Sequence, residues 1–185
     1  DFRRCYAEVA DYLRGADFTI GNIETVFAGP TAKYTGYPTF NTPEDYLEAV
    51  KDAGFDFLVT GNNHSLDRGG NGAFKTLEVL DKFGFAHTGT YSSPADRDSI
   101  RIVNVKGISM AILNYTYGTN GIPIPKDKPW IINLTDTLLI EKDVLAARAL
   151  KPDLVVVSFH WGLEYQHEPC GSQRIQFETA AAAGA

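Results

Sequence analysis

Three apolar, strand-like runs in this chain each stop at a polar cluster. Asp17-Phe18-Thr19-Ile20 leads into Gly21-Asn22-Ile23-Glu24. Phe55-Asp56-Phe57-Leu58-Val59-Thr60 leads into Gly61-Asn62-Asn63-His64-Ser65-Leu66-Asp67-Arg68-Gly69. Leu154-Val155-Val156-Val157-Ser158-Phe159 leads into His160-Trp161-Gly162-Leu163-Glu164. Helical patterns lie between the runs, and that alternation predicts an α/β fold. In such sheets the carboxyl ends of neighbouring strands converge on one crevice, so side chains distant in sequence meet around one ligand. Asn, Asp, Glu and His are the residue types that hold catalytic divalent metals. The pattern therefore predicts a polar, metal-centred site at the strand ends.

The remaining elements follow the same rhythm. A helix is expected over Tyr6 to Leu13, ending at Gly15, then a strand over Asp17 to Ile23. Ala28 to Asn41 is a long loop rich in Gly, Pro, Thr and Tyr. Thr42 is the expected N-cap of the next helix, with Pro43 in its first turn and Gly54 closing it. A helix over Ala73 to Phe83 and a short strand over Phe85 to Gly89 come next. Ile100 to Val105 and Ile108 to Leu113 flank Lys106-Gly107 as an antiparallel hairpin. A Gly118 to Trp130 loop, a Thr135 to Leu150 helix, an Asp153 to Phe159 strand with residues buried on both sides, and a Ser172 to Ala183 helix complete the chain. No repeat or linker divides its 185 residues, which read as one domain. The rhythm opens on a helix without a preceding strand and closes on one without a following strand. The expectation is a domain truncated at both ends.

The clusters differ in weight. Asn22 and Glu24 are two apart, so on an extended backbone both side chains point the same way and one ion can meet both. Taken alone they also read as a solvated strand end with an Asn turn. The second cluster is stronger: Asn62 and Asn63, then His64, then Asp67 three residues on, offer neutral oxygens, an imidazole and a carboxylate able to orient it. A helix cap needs one such residue, not five. His160, with Trp161 and Glu164 beside it, emerges at the same level of the sheet. His87 and His167 lack such company and read as structural. Cys5 and Cys170 read as packing or incidental thiols. The net charge of −6 argues against a nucleic-acid surface, and no apolar run reaches the ~20 residues of a membrane-spanning helix.

At these clusters the sequence resembles the CapA-type poly-γ-glutamate capsule biosynthesis family, a branch of the calcineurin-like metallophosphoesterases. The matching residues are Ala16 to Glu24, Asn62 to Gly69, and His160 to Tyr165, with Pro169 and Gln173 beyond. The resemblance implies a four-layer α/β/β/α sandwich in which two mixed sheets pack between helices. It implies divalent metal, with Mn, Zn or Fe as candidates, held by Asn63 and His160, and His64 as the transition-state donor, oriented by Asp67 or Glu24. Gly21-Asn22 stands where the wider superfamily has Gly-Asp, so Glu24 is the carboxylate left to supply charge. Asn22, Asn62, Trp161 and Glu164 would line the site. An N-terminal Gly-Asp strand and a late Gly-His-x-Pro-His motif are not in the sequence, in line with the truncation expected above. The implied role is a capsule-associated protein at the cell surface or outside it, acting on an anionic polymer or small molecule as a metal-dependent hydrolase of phosphoester or amide. The alternative is a non-catalytic component that binds or exports polymer.

Overall fold

The computed structural model describes all 185 residues. A 3-10 turn at Phe2–Tyr6 precedes α1 (Ala10–Arg14), β1 (Ile20–Asn22), α2 (Asp45–Ala53), β2 (Phe57–Val59), α3 (Gly69–Lys82) and β3 (Ala86–Thr88). Then come α4 (Pro94–Asp98), β4 (Arg101–Val105), β5 (Ile108–Thr116), α5 (Thr137–Ala149), β6 (Leu154–His160) and α6 (Gly171–Ala183). The strands form two sheets, β1-β2-β3 and β4-β5-β6. The first is parallel throughout, with Ile20 opposite Phe57 and Phe57 opposite Ala86. The second is mixed: β4 runs antiparallel to β5, while β6 runs parallel to it, with Thr116 opposite His160. The fold is thus α/β, but the first sheet is not the mixed one that the resemblance implies.

Strand alternation decides what each side chain packs against. Leu58 joins Leu47 and Val50 of α2 and Val79 and Leu80 of α3, whereas its neighbours Phe57 and Val59 pack with Ile112 of the second sheet. In β5, Leu113 and Tyr115 turn the other way, onto Ile140 and Val144 of α5. The α2 helix buries Leu47 and Val50, three apart on one face, and ends at Gly54 in the left-handed conformation (φ 104°). No helix is long and apolar enough to cross a membrane.

Several sequence expectations are corrected. The Tyr6 to Leu13 helix is broken because Tyr6 is drawn onto α2, its hydroxyl 2.6 Å from that of Tyr46 and its ring against Phe55. Tertiary packing here outweighs local helix propensity. Thr42 does not cap α2: its hydroxyl pairs with Thr25 at 2.7 Å, and Glu44 takes the N-cap position. The α3 helix starts at Gly69 rather than Ala73, and β5 continues to Thr116. The α4 helix was not foreseen, although Ser93 caps it by accepting from the Asp96 N–H and Pro94 opens it. In β6 only Val155 is buried, because this strand lies at the sheet edge and Leu154 faces solvent.

One contact fastens the two sheets beside the strand ends. Asn114 of β5 accepts from the Gly61 N–H at 2.6 Å, just past β2, and donates to the Ser158 carbonyl of β6 at 3.2 Å. The approach requires glycine: a Cβ on Gly89 (φ +116°) would lie 2.0 Å from the Asn114 Oδ1, and one on Gly61 2.5 Å from it.

Candidate active site

The segment between β2 and α3 is a tight turn held by its own polar groups. Ser65 accepts from the Asn62 N–H at 2.9 Å and donates to the Thr60 carbonyl at 2.6 Å. Asn62 is buried and fully engaged: its Oδ1 accepts from the His64 N–H at 3.0 Å, and its Nδ2 donates to the Ile23 carbonyl at 2.9 Å and the Asn22 Oδ1 at 3.1 Å. It is a strut between this turn and the end of β1. With Asn62 satisfied within the turn, Asn63 and His64, both buried, are the residues left to meet the third cluster and the cleft beside it.

Asn63 reaches the third cluster. Its Oδ1 lies 2.7 Å from Nε2 of His160, and Glu24 Oε1 lies 3.8 Å from the same nitrogen. Glu24 is held by Asn22, whose Nδ2 donates to its Oε2 at 3.0 Å. Asn22 thus bridges Glu24 and Asn62. The Tyr117 ring stacks on His160 with an interplanar angle of 12°. Burial pulls the His160 pKa below the ordinary histidine value, against the opposing pull of Glu24 and with the help of His64. The shift favours the uncharged ring, the form in which an imidazole binds a metal.

His64 and Asp67 form a buried pair, Nδ1 to Oδ2 at 2.8 Å. Asp67 Oδ2 also accepts from the Phe40 N–H at 2.6 Å, and the Phe40 ring packs 4.3 Å from the imidazole. A carboxylate only accepts, so Nδ1 of His64 is the donor, and an uncharged ring would leave Nε2 as the acceptor. Opposite Nε2 stands Asn120, with its Nδ2 at 3.3 Å. Asn120 and His64 line a cleft of about 320 Å³ together with Tyr37, Thr39 and Glu164. A second hollow of about 450 Å³ is lined by Asn22, Glu24, Phe40 and Tyr46.

The structure thus brings Glu24, Asn63, His64, Asp67 and His160 together, with Asn22 and Asn62 supporting them and Glu164 on the rim. Trp161 is elsewhere. It stacks on Phe159 at 4.0 Å and lines a separate cleft with Pro169, Gln173 and Phe177, because adjacent residues leave a strand on opposite sides. Gln173 itself accepts from the Cys170 N–H at the start of α6, a capping role. Both cysteines are free thiols, His87 is buried beside Asp81, and His167 is exposed. Asn120, Tyr117 and Phe40 were not singled out from the sequence. Asn120 falls within the Gly118 to Trp130 loop, and an Asn-Gly dipeptide there signals no more than a turn.

The donor chemistry can be compared with the needs of a divalent metal. One carboxylate (Glu24), one imidazole (His160) and one amide oxygen (Asn63) make a mixed N/O set that fits a single ion with open positions. No group of three or more His, Cys, Asp or Glu side chains able to hold a metal converges anywhere, so an ion here would need the amide as its third donor.

The family described as "Bacterial capsule synthesis protein PGA_cap" matches residues 1–185. Among curated proteins, the chain is 29% identical over 188 residues to the capsule biosynthesis protein CapA of Bacillus anthracis, covering 97% of the chain and 46% of that protein. It is 27% identical over 185 residues to the PGA biosynthesis protein CapA of Bacillus subtilis (strain 168), covering 96% and 47%. An uncharacterized protein, y4sH of Sinorhizobium fredii, is 34% identical over 116 residues, 59% of the chain. The chain spans about half the length of the two CapA proteins that it matches.

Proposed function

Because the chain belongs to the bacterial capsule synthesis protein PGA_cap family, we propose that it serves capsule or poly-γ-glutamate biosynthesis as a cation-dependent hydrolytic unit at or outside the cell surface. The observation that carries this reading is the convergence of three distant segments. Glu24, Asn63 and His160 lie in contact on one side, and the His64–Asp67 pair lies next to them. The alternate packing of Leu58 and Phe57, and of Leu113 and Ile112, supports a four-layer α/β/β/α arrangement that would hold these strand ends in place.

Glu24, Asn63 and His160 would hold the cation. When bound, it supplies Lewis acidity and charge neutralisation at an anionic reacting centre. The protein's own groups do the rest. Asp67 fixes the His64 ring, and the imidazole moves a proton to or from a substrate in the cleft that it lines beside Asn120. A substrate of phosphoester or amide type would occupy the cleft lined by Tyr37, Thr39 and Glu164. The chain's net charge of −6 repels an anionic polymer, so a bound cation would also serve to bridge the two.

A second reading, a polymer-handling component without turnover, is favoured by one feature: only two of the converging cation donors are His, Asp or Glu. Turnover of an aryl phosphate measured in parallel with Mn²⁺ content separates the two. His64→Ala should lower turnover about 10²–10⁴-fold and leave metal content nearly intact, as loss of a general acid–base group does. His160→Ala should lose metal and turnover together. Metal binding without any wild-type turnover would leave the polymer-handling reading standing.

A further inference from the structure

We propose that Asn120 is the positioning residue of the site, setting which face the Asn63 amide turns toward His160 and Glu24. A side-chain amide has two nearly isosteric ends, an acceptor and a donor, so its orientation is decided by its neighbours. His160 cannot decide it for Asn63, because an imidazole nitrogen either donates or accepts according to tautomer.

The decision is made at the other end of a chain of contacts. The buried Asp67 carboxylate accepts from Nδ1 of His64 at 2.8 Å, which leaves Nε2 as an acceptor. Asn120 therefore presents its Nδ2 to that nitrogen, at 3.3 Å, and its Oδ1 to the Nδ2 of Asn63, at 3.0 Å. With its nitrogen so engaged, Asn63 turns its oxygen to His160, at 2.7 Å, the only end of the amide able to bind a cation.

The backbone places Asn120 for this role. Asn120 and Gly121 both have left-handed conformations (φ 51° and 77°), in a turn closed by the Ile122 N–H donating to the Thr119 carbonyl at 2.9 Å. Asn and Gly are the residues that accept such conformations. The same turn would form with glycine at position 120, without the side chain.

Asn120→Gly and Asn120→Asp are therefore the informative variants, since both suit the left-handed backbone and Asp keeps an acceptor for Asn63. In cation-free protein, ¹⁵N–¹H spectra should show the Asn63 side-chain NH₂ resonance moved in Asn120→Gly, with the melting temperature nearly unchanged. The cation arm rests on the reading proposed above. By calorimetry with Mn²⁺, Asn120→Gly should bind about 10–100-fold more weakly, as loss of a residue that orients a ligand does, and Asn120→Asp should bind within about threefold of wild type or tighter. If wild type binds no Mn²⁺, the cation reading fails, while the Asn63 resonance still decides the contact. An unmoved Asn63 resonance in Asn120→Gly, or unchanged Mn²⁺ affinity in it, would overturn the proposal.

Discussion

Asn114→Ala should destabilise the protein more than its modest size suggests. The substitution removes the acceptor of the Gly61 N–H, a 2.6 Å bond between buried groups, and the donor to the Ser158 carbonyl at 3.2 Å. Stranding a buried N–H costs about 1–3 kcal/mol, and the second bond adds about 1. The sum is about 2–4 kcal/mol, a large share of the ~5–15 kcal/mol that holds a domain folded. For a chain of this length it corresponds to a fall in melting temperature of roughly 5–15 °C. Thermal melts followed by circular dichroism, with urea titrations to obtain the free energy, measure it. Asn104→Ala is the internal control, because Asn104 also accepts a backbone N–H, that of Gly107, but at an exposed hairpin turn where water takes its place. Equal melting temperatures for Asn114→Ala and wild type would refute the view that this amide fastens the sheets beside the site.

The Asp143 carboxylate accepts from Arg97 of α4 and from the Tyr115 hydroxyl of β5, at 2.8 Å from the latter. Asp143→Ala should cost about 3–5 kcal/mol by urea denaturation, since it leaves a largely buried guanidinium unpaired. For Tyr115, burial first, and the charge and hydrogen bond of Asp143 next, raise the phenol pKa. The stability this contributes is present below about pH 10, the unfolded value, and is lost as pH rises past it, so Tyr115→Phe should flatten the alkaline limb of a stability profile. At Asp96, burial acts upward, but bonds from Ser92 and Arg101 outweigh it and leave the pKa depressed. Its contribution is present above about pH 3.9 and fades as pH falls through the lower folded value, which melts between pH 5 and pH 2 would follow. Asp136 caps α5 by accepting from the Leu139 N–H at 2.8 Å, and Asp136→Ala should cost about 0.5–2 kcal/mol.

What the sequence disclosed about fold and site divides along a physical line. The βα order, the hairpin at Lys106-Gly107 and the strand-end level of the three clusters depend on local pattern, and local pattern is written in the chain. The placement of Glu24, Asn63, His64 and His160 near one another followed from that level alone. Failures arose where a distant partner decided the outcome. Tyr6 left its helix for Tyr46 and Phe55, and Thr42 gave its hydroxyl to Thr25 rather than to a helix end. Trp161 marks a different limit: it was grouped with His160 because the two are adjacent, although the same period-two rule that put Asn22 and Glu24 on one side sends neighbours to opposite sides. Asn120 lay beyond reach altogether. Nothing near it in sequence carries chemistry, and its importance exists only because a loop between β5 and α5 returns it to His64, 56 positions away. The two adjacent asparagines show how far composition alone can go. They are identical in type, yet Asn62 spends its amide on β1 and its own turn while Asn63 turns to His160, a distinction made by the Ile23 carbonyl and the Asn22 side chain that meet only Asn62.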